Sequence, residues 1–159
     1  MTFETRMKRK IRRTMHNAPK GGNGVYIQLS KKRGIKILRA EYETLEELKE
    51  YNRIENVLNE ARAMKQAKRL FPYIPDCYGV KMLKIGDYYN VGIIIQHLGN
   101  KCIGDITEEY LPIVWKLEDD FRKLGICHND IHSHNVMYFR HKYWVIDFAC
   151  VYISKPKTN

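Results

Sequence analysis

Between Glu43 and Leu70 the chain carries its longest stretch of helical periodicity, and the segments on either side are short, apolar and strand-like. Ile54, Val57, Leu58, Ala61 and Met64 recur at three-to-four spacing, continued less regularly by Ala67 and Leu70 and interrupted by Lys68. Phe71-Pro72-Tyr73-Ile74-Pro75 then stops the helix, because proline lacks the amide that a further turn would need. Upstream, Val25–Leu29 and Gly34–Leu38 flank a basic turn and follow the glycine-rich Pro19–Gly24 turn, itself read as lying between strands. Downstream, Cys77–Leu83 and Asn90–Leu98 flank Ile85-Gly86-Asp87. Two hairpin-like pairs around one long helix predict an α+β fold with an antiparallel sheet. A second helix is expected to open at Thr107-Glu108-Glu109, to bury Leu111, Val114, Leu117, Phe121 and Leu124, and to end at Gly125.

A chain of 159 residues can bury a working core in one compact unit or two small lobes. No apolar run approaches membrane-spanning length, and the basic start is not followed by a signal-like apolar core. Cys77, Cys102, Cys127 and Cys150 form no close pair, which predicts free thiols in a reducing, cytoplasmic setting, while the lack of a long apolar run predicts no membrane partner. Of 28 basic residues twelve lie in residues 1–39, against one of the 18 acids, so that quarter carries +11 and the remainder −1. Residues 6–13 are the densest part. As a basic arm they could grip a polyanion or an acidic partner by releasing counterions, or simply stay solvated.

The chemistry concentrates in His128–Asp147. This stretch sets a carboxylate, Asp130, five residues before an amide, Asn135, and places a second carboxylate, Asp147, after the apolar run Tyr143–Ile146. Such a trio suits a divalent cation on a polyphosphate, because Mg²⁺ takes few protein oxygens and prefers carboxylates and amide carbonyls. A carboxylate left free of metal can take a proton from a hydroxyl. His128, His132 and His134 also offer H-x-x-x-H and H-x-H spacings for a transition metal, the alternative reading of the stretch.

His128-x-Asp130-x-x-x-x-Asn135 followed by Asp147-Phe148-Ala149 resembles the catalytic loop and metal-binding turn of the protein-kinase-like superfamily. His132, where a typical protein kinase has lysine, makes the loop similar to those of aminoglycoside and choline kinase-like enzymes and small atypical kinases. The resemblance implies Asp130 as base, His128 as a brace, and Asn135 and Asp147 as Mg²⁺ ligands. It implies that Gly22 and Gly24 lie over phosphates, that Lys36 holds them, and that Glu60 pairs with Lys36, with Glu55 the fallback. Gln96, His97 and Leu98 become hinge positions touching the nucleotide through their backbone.

The implied architecture is a reduced two-lobed kinase-like domain over 1–159, with a basic arm at 1–14, an N-lobe at 15–98, a truncated helical C-lobe at 99–159, and ATP between the lobes. Twelve residues follow Asp147, too few for the family's activation segment and substrate platform. The resemblance therefore implies a minimal ATP- and Mg²⁺-dependent phosphotransferase acting on an unidentified protein or small-molecule hydroxyl. A nucleotide-binding regulatory module is the alternative, and a homodimer could complete the short lobe.

Overall fold

A computed structural model describes residues 1–17, 24–37, 42–51 and 53–154. The chain divides into two compact units: Met1–Leu58 with Cys77–His97, and Asn59–Asp76 with Leu98–Asn159. The fold is α+β, with a four-stranded antiparallel sheet as its largest β element. Among the described residues no helix is long and apolar enough to cross a membrane.

The first unit opens on a helix where the sequence suggested a basic arm, whether binding or solvated. α1 (Phe3–Asn17) starts at Thr2, whose hydroxyl accepts from the Thr5 amide. One turn apart on one face, Met7 and Ile11 are buried. They join Ile27, Ile35, Ile37 and Leu83 in one apolar cluster, so the basic residues ride on a helix whose other side belongs to the core. The sequence carried the signal, since Phe3, Met7, Ile11 and Met15 recur every four residues, but the charges between them obscured it. Residues 15–17 are thus helical, and no strand precedes the glycine-rich turn among the described residues.

The sheet runs β1 (Val25–Gln28), β2 (Arg33–Ile37), β4 (Tyr88–Gln96), β3 (Cys77–Ile85), every pairing antiparallel. Its register sets Tyr26 opposite Lys36 and Lys36 opposite Ile93. Alternation sends Ile35 and Ile37 to the α1 side and Lys36 to the other face. β3 and β4 turn at Gly86, whose φ of 63° suits glycine.

The helix expected over 43–70 is broken. α2 (Leu45–Glu50) has its own capping box, in which Thr44 accepts from the Glu47 amide while Glu47 accepts from the Thr44 amide. It ends at Tyr51, and α3 occupies Arg53–Leu70. A self-contained cap inside a longer periodic segment starts a separate helix, which periodicity alone does not show. Val57, Ala61, Met64 and Ala67 of the expected stripe are buried, and Glu60 is buried with them, whereas Leu70 is exposed.

In the second unit α4 spans Leu111–Lys123, starting later than the Thr107 cap predicted. Thr107 accepts only from the Glu109 amide, and Pro112 sits in the first turn instead. Val114, Leu117 and Phe121 are buried while Leu111 and Leu124 are exposed. Gly125, at φ 74°, ends the helix as expected. β5 (Ile126–Cys127) pairs with β8 (Tyr152–Ile153), and β6 (Val136–Phe139) forms a hairpin with β7 (Lys142–Val145). Arg140 and His141 turn that hairpin, both at positive φ.

Candidate functional site

The His128–Asp147 segment lies wholly in the second unit and is tied together by backbone bonds through Asn135. The Asn135 amide donates to His132 O at 2.9 Å, and the Ile146 amide donates to Asn135 O at 3.0 Å. The second bond brings the end of the hairpin back to the loop, so Asp147 follows directly on a residue tied to Asn135. Asp147 sits at φ 65°, an uncommon conformation for a residue other than glycine, and its Oδ1 accepts from the Ala149 amide at 3.4 Å. Phe148 is fully buried, which anchors the turn from inside.

Asn135 fixes the polarity of the site. Its Nδ2 donates to the backbone oxygen of Asp130 and to Asp130 Oδ2, both at 3.0 Å. Both partners only accept, so the amide orientation is determined: the nitrogen faces Asp130 and Oδ1 is the end able to meet a cation. Asp130 keeps its other oxygen toward His132, whose Nε2 lies 3.6 Å from Oδ1. His132 Nδ1 accepts from the His134 amide, so neutral His132 carries its proton on Nε2, facing the carboxylate.

His128 is a buried brace. Its Nε2 donates to Ile146 O at 3.1 Å, and its ring contacts Phe121 and Phe148. Burial pushes its pKa down, against smaller opposing contributions from the Ile146 carbonyl and the carboxylates of Asp147 and Asp130. The neutral Nε2–H tautomer leaves Nδ1 buried without a hydrogen-bond partner among the described residues. Inward commitment removes His128 from any shared metal centre with His132 and His134. Among the described residues no three His, Cys, Asp or Glu side chains converge to hold a metal, so the transition-metal alternative lacks a ligand set.

A neighbouring segment braces the loop through residues that its own motif does not include. Cys102 bridges to Met137, the Tyr138 amide donates to Lys101 O, and the Cys102 thiol donates to Asp105 while lying 3.6 Å from His134 Nδ1. The thiol and the Cys102 amide, in that order, hold the Asp105 carboxyl below its usual range. The Val145 amide donates to Tyr73 O, fastening the hairpin to the segment after α3. Apart from Cys102 and Asp105, these partners lie more than thirty residues apart in sequence, and no local spacing signals them.

The remaining expected positions are distributed as follows. Lys36 lies in β2 of the first unit, beside Gly24, where an added Cβ would come 3.9 Å from Lys36 Cε and 3.0 Å from Ile37 O. Gly22 lies outside the described residues. Gln96 ends β4, the His97 amide donates to Lys32 O within the first unit, and Leu98 is the first residue of the second unit's later segment. Glu60 is in α3 and belongs to the second unit, while Glu55, its fallback, belongs to the first and is exposed.

Sequence reasoning missed Tyr26, the cross-strand partner of Lys36. Its hydroxyl pairs with His97 Nδ1 at 2.8 Å, and an added Cβ at Gly34 would collide with that hydroxyl. Burial raises the Tyr26 pKa to about 12, so the phenol donates and His97 accepts. Burial, followed by the charge of Lys10, lowers the His97 pKa. The missed signal was compositional: a glycine in a strand often marks the close approach of a neighbour.

No protein-family model matches the chain. It is similar to a curated protein of Methanosarcina barkeri described as a "Probable bifunctional tRNA threonylcarbamoyladenosine biosynthesis protein", at 28% identity over 109 residues. The match takes in 69% of this chain and spans 19% of the relative's length.

Proposed function

We propose that this chain is an ATP- and Mg²⁺-dependent phosphotransferase of protein-kinase-like type, acting on a hydroxyl acceptor. The observation that carries the reading is the Asn135 amide, whose nitrogen is committed to the carbonyl and carboxylate oxygens of Asp130, so that its own carbonyl oxygen is the end that serves as a cation ligand in this reading. Asp147 supplies the second oxygen donor, and two protein donors of this type suit Mg²⁺ bound to a polyphosphate. Bound Mg²⁺–ATP would supply the transferable phosphoryl group and neutralise its charge.

Within this reading Asp130 receives the acceptor's proton at Oδ1, with His132 beside it to set the local charge. His128 keeps the loop in register by holding Ile146, one residue before Asp147. The kinase-like resemblance assigns the remaining roles: Lys36 to phosphate, Glu60 to Lys36, Gly22 and Gly24 to the nucleotide loop, and Gln96, His97 and Leu98 to the base. The named role of the Methanosarcina relative in tRNA modification supports an acceptor or partner connected with RNA modification.

The test is transfer of label from γ-labelled ATP with Mg²⁺, by phosphate release and autophosphorylation, comparing wild type with Asp147→Asn. The expected result is Mg²⁺-dependent transfer that falls at least tenfold in the variant. Mg²⁺-dependent nucleotide binding with no transfer by wild type would support the regulatory module instead.

A further inference from the structure

The most concentrated charge among the described residues lies in the first unit, whereas Asp130 belongs to the second. Lys8, Arg9, Arg12 and Arg13 of α1 share one cavity of about 620 Å³ with Lys84 from the end of β3, and Thr5 lines its rim. Two elements distant in sequence thus put five cations around one open space. The nearest carboxylates in sequence, Glu4 and Asp87, do not line it. Glu4 pairs with Lys8 at 3.1 Å, and Lys84 lies over the Tyr89 ring, but among the described residues no ion pair joins Arg9, Arg12 or Arg13 to a carboxylate.

This arrangement works against the helix that bears it. Lys8 and Arg12, and Arg9 and Arg13, are like charges one turn apart, each pair destabilising by a few tenths of a kcal/mol. Met7 and Ile11 hold the helix to the sheet regardless, which fixes these cations on a rigid element. From Thr5 to Arg13 the helix covers about 12 Å. At about 3.4 Å per phosphate along one strand, that length faces three to four phosphates of a nucleic acid. The lining offers no aromatic ring and only Ile85 as a sizeable apolar group, so it lacks the anchor on which a protein partner's binding normally rests. Three arginine forks suit paired phosphate oxygens.

The geometry points to a nucleic-acid backbone site formed by α1 and the β3–β4 turn, in which Lys8, Arg9, Arg12, Arg13 and Lys84 contact phosphates without reading bases. This site does not depend on the phosphotransfer reading. Deleting residues 1–13 would not test it, because that also removes Met7 and Ile11 from the core. The suitable variant is Arg9→Ala/Arg12→Ala/Arg13→Ala in the full chain, set against Lys31→Ala/Lys32→Ala/Lys101→Ala, which removes equal charge at exposed positions elsewhere.

The probes are fluorescein-labelled 20-nucleotide single-stranded RNA, DNA of the same sequence, and polyglutamate, read by anisotropy between 50 and 200 mM salt. With five phosphate contacts the RNA affinity of wild type should fall about 100-fold over that range, and with two contacts about 7-fold. The groove variant should bind RNA and DNA at least tenfold more weakly at 50 mM, whereas the control variant should lose less than threefold. Arg9→Lys/Arg12→Lys/Arg13→Lys should retain the salt dependence of wild type and guards against a folding artefact. Equal losses in the groove and control variants, or tighter binding of polyglutamate than of RNA, would overturn the assignment.

Discussion

Replacing Asn135 by Asp changes one amide nitrogen into an oxygen at the point where Asn135 meets Asp130. Two donor contacts at 3.0 Å are lost, one to a backbone carbonyl and one to a carboxylate. The first is worth about 1 kcal/mol, and the second is worth about the same because the Asp130 side chain is 52% exposed and water can replace it. The new carboxylate also lies beside that of Asp130. Charges about 4 Å apart repel by about 1 kcal/mol in water and about 4 kcal/mol at an effective dielectric of 20, so about 2 kcal/mol is reasonable here. The total at pH 7 is about 4 kcal/mol. Repulsion raises the folded pKa of the acidic pair above its unfolded value, so the electrostatic half of the deficit is complete at neutral pH and disappears as pH falls toward about 4. Asn135→Leu loses the same donors without adding charge and should cost about 2 kcal/mol with little pH dependence. Both tryptophans, Trp115 and Trp144, belong to the second unit, so urea unfolding followed by tryptophan fluorescence reads the affected part. If Asn135→Asp is no less stable than Asn135→Leu at pH 7, the amide nitrogen does not face the Asp130 carboxylate and the proposed cation ligand points elsewhere.

Three further outcomes follow from the same packing. Ile11→Ala should cost about 3 kcal/mol in urea unfolding followed by circular dichroism, because Ile11 is fully buried, while exposed Lys10→Ala should stay within about 0.5 kcal/mol; equal small effects would mean that α1 is not docked. Gly34→Ala should cost about 1–3 kcal/mol in wild type but much less in a Tyr26→Ala background, since the clash is with the Tyr26 hydroxyl; equal costs would locate the strain elsewhere. His128 should be mainly the neutral Nε2–H tautomer by nitrogen NMR at pH 6.5, where an ordinary histidine is half charged. Its depressed pKa makes its contribution complete above about pH 6.5 and progressively lost as pH falls toward the folded value, so a mainly imidazolium His128 at pH 6.5 would contradict its burial.

The four strands of the main sheet were legible because each combines a short apolar run with a nearby turn marker, and the alternation of Ile35, Lys36 and Ile37 gave the two faces of β2. The spacing of Asp130, Asn135 and Asp147 marked them as candidates; the Asn135 side chain is hydrogen-bonded to Asp130, and its backbone oxygen holds Ile146, next to Asp147. What escaped was structure built from few or distant contacts. α1 is marked by Phe3, Met7, Ile11 and Met15, a four-residue recurrence obscured by the charges between them, and the α2 break by one local capping box. The support from Cys102 and Asp105 and the Tyr26–His97 contact join residues up to 71 positions apart, a distance at which no periodicity carries information.

The most direct test of the phosphotransfer account is a matched comparison of wild type and Asp130→Asn, with Mg²⁺–ATP affinity by calorimetry beside transfer of the γ-phosphoryl group. Asp130 is placed as the proton acceptor and not as a cation ligand, so the variant should bind Mg²⁺–ATP within about threefold of wild type yet transfer phosphate at least 100-fold more slowly. Full transfer by Asp130→Asn would contradict that account, and so would a wild-type chain that binds no nucleotide in the presence of Mg²⁺.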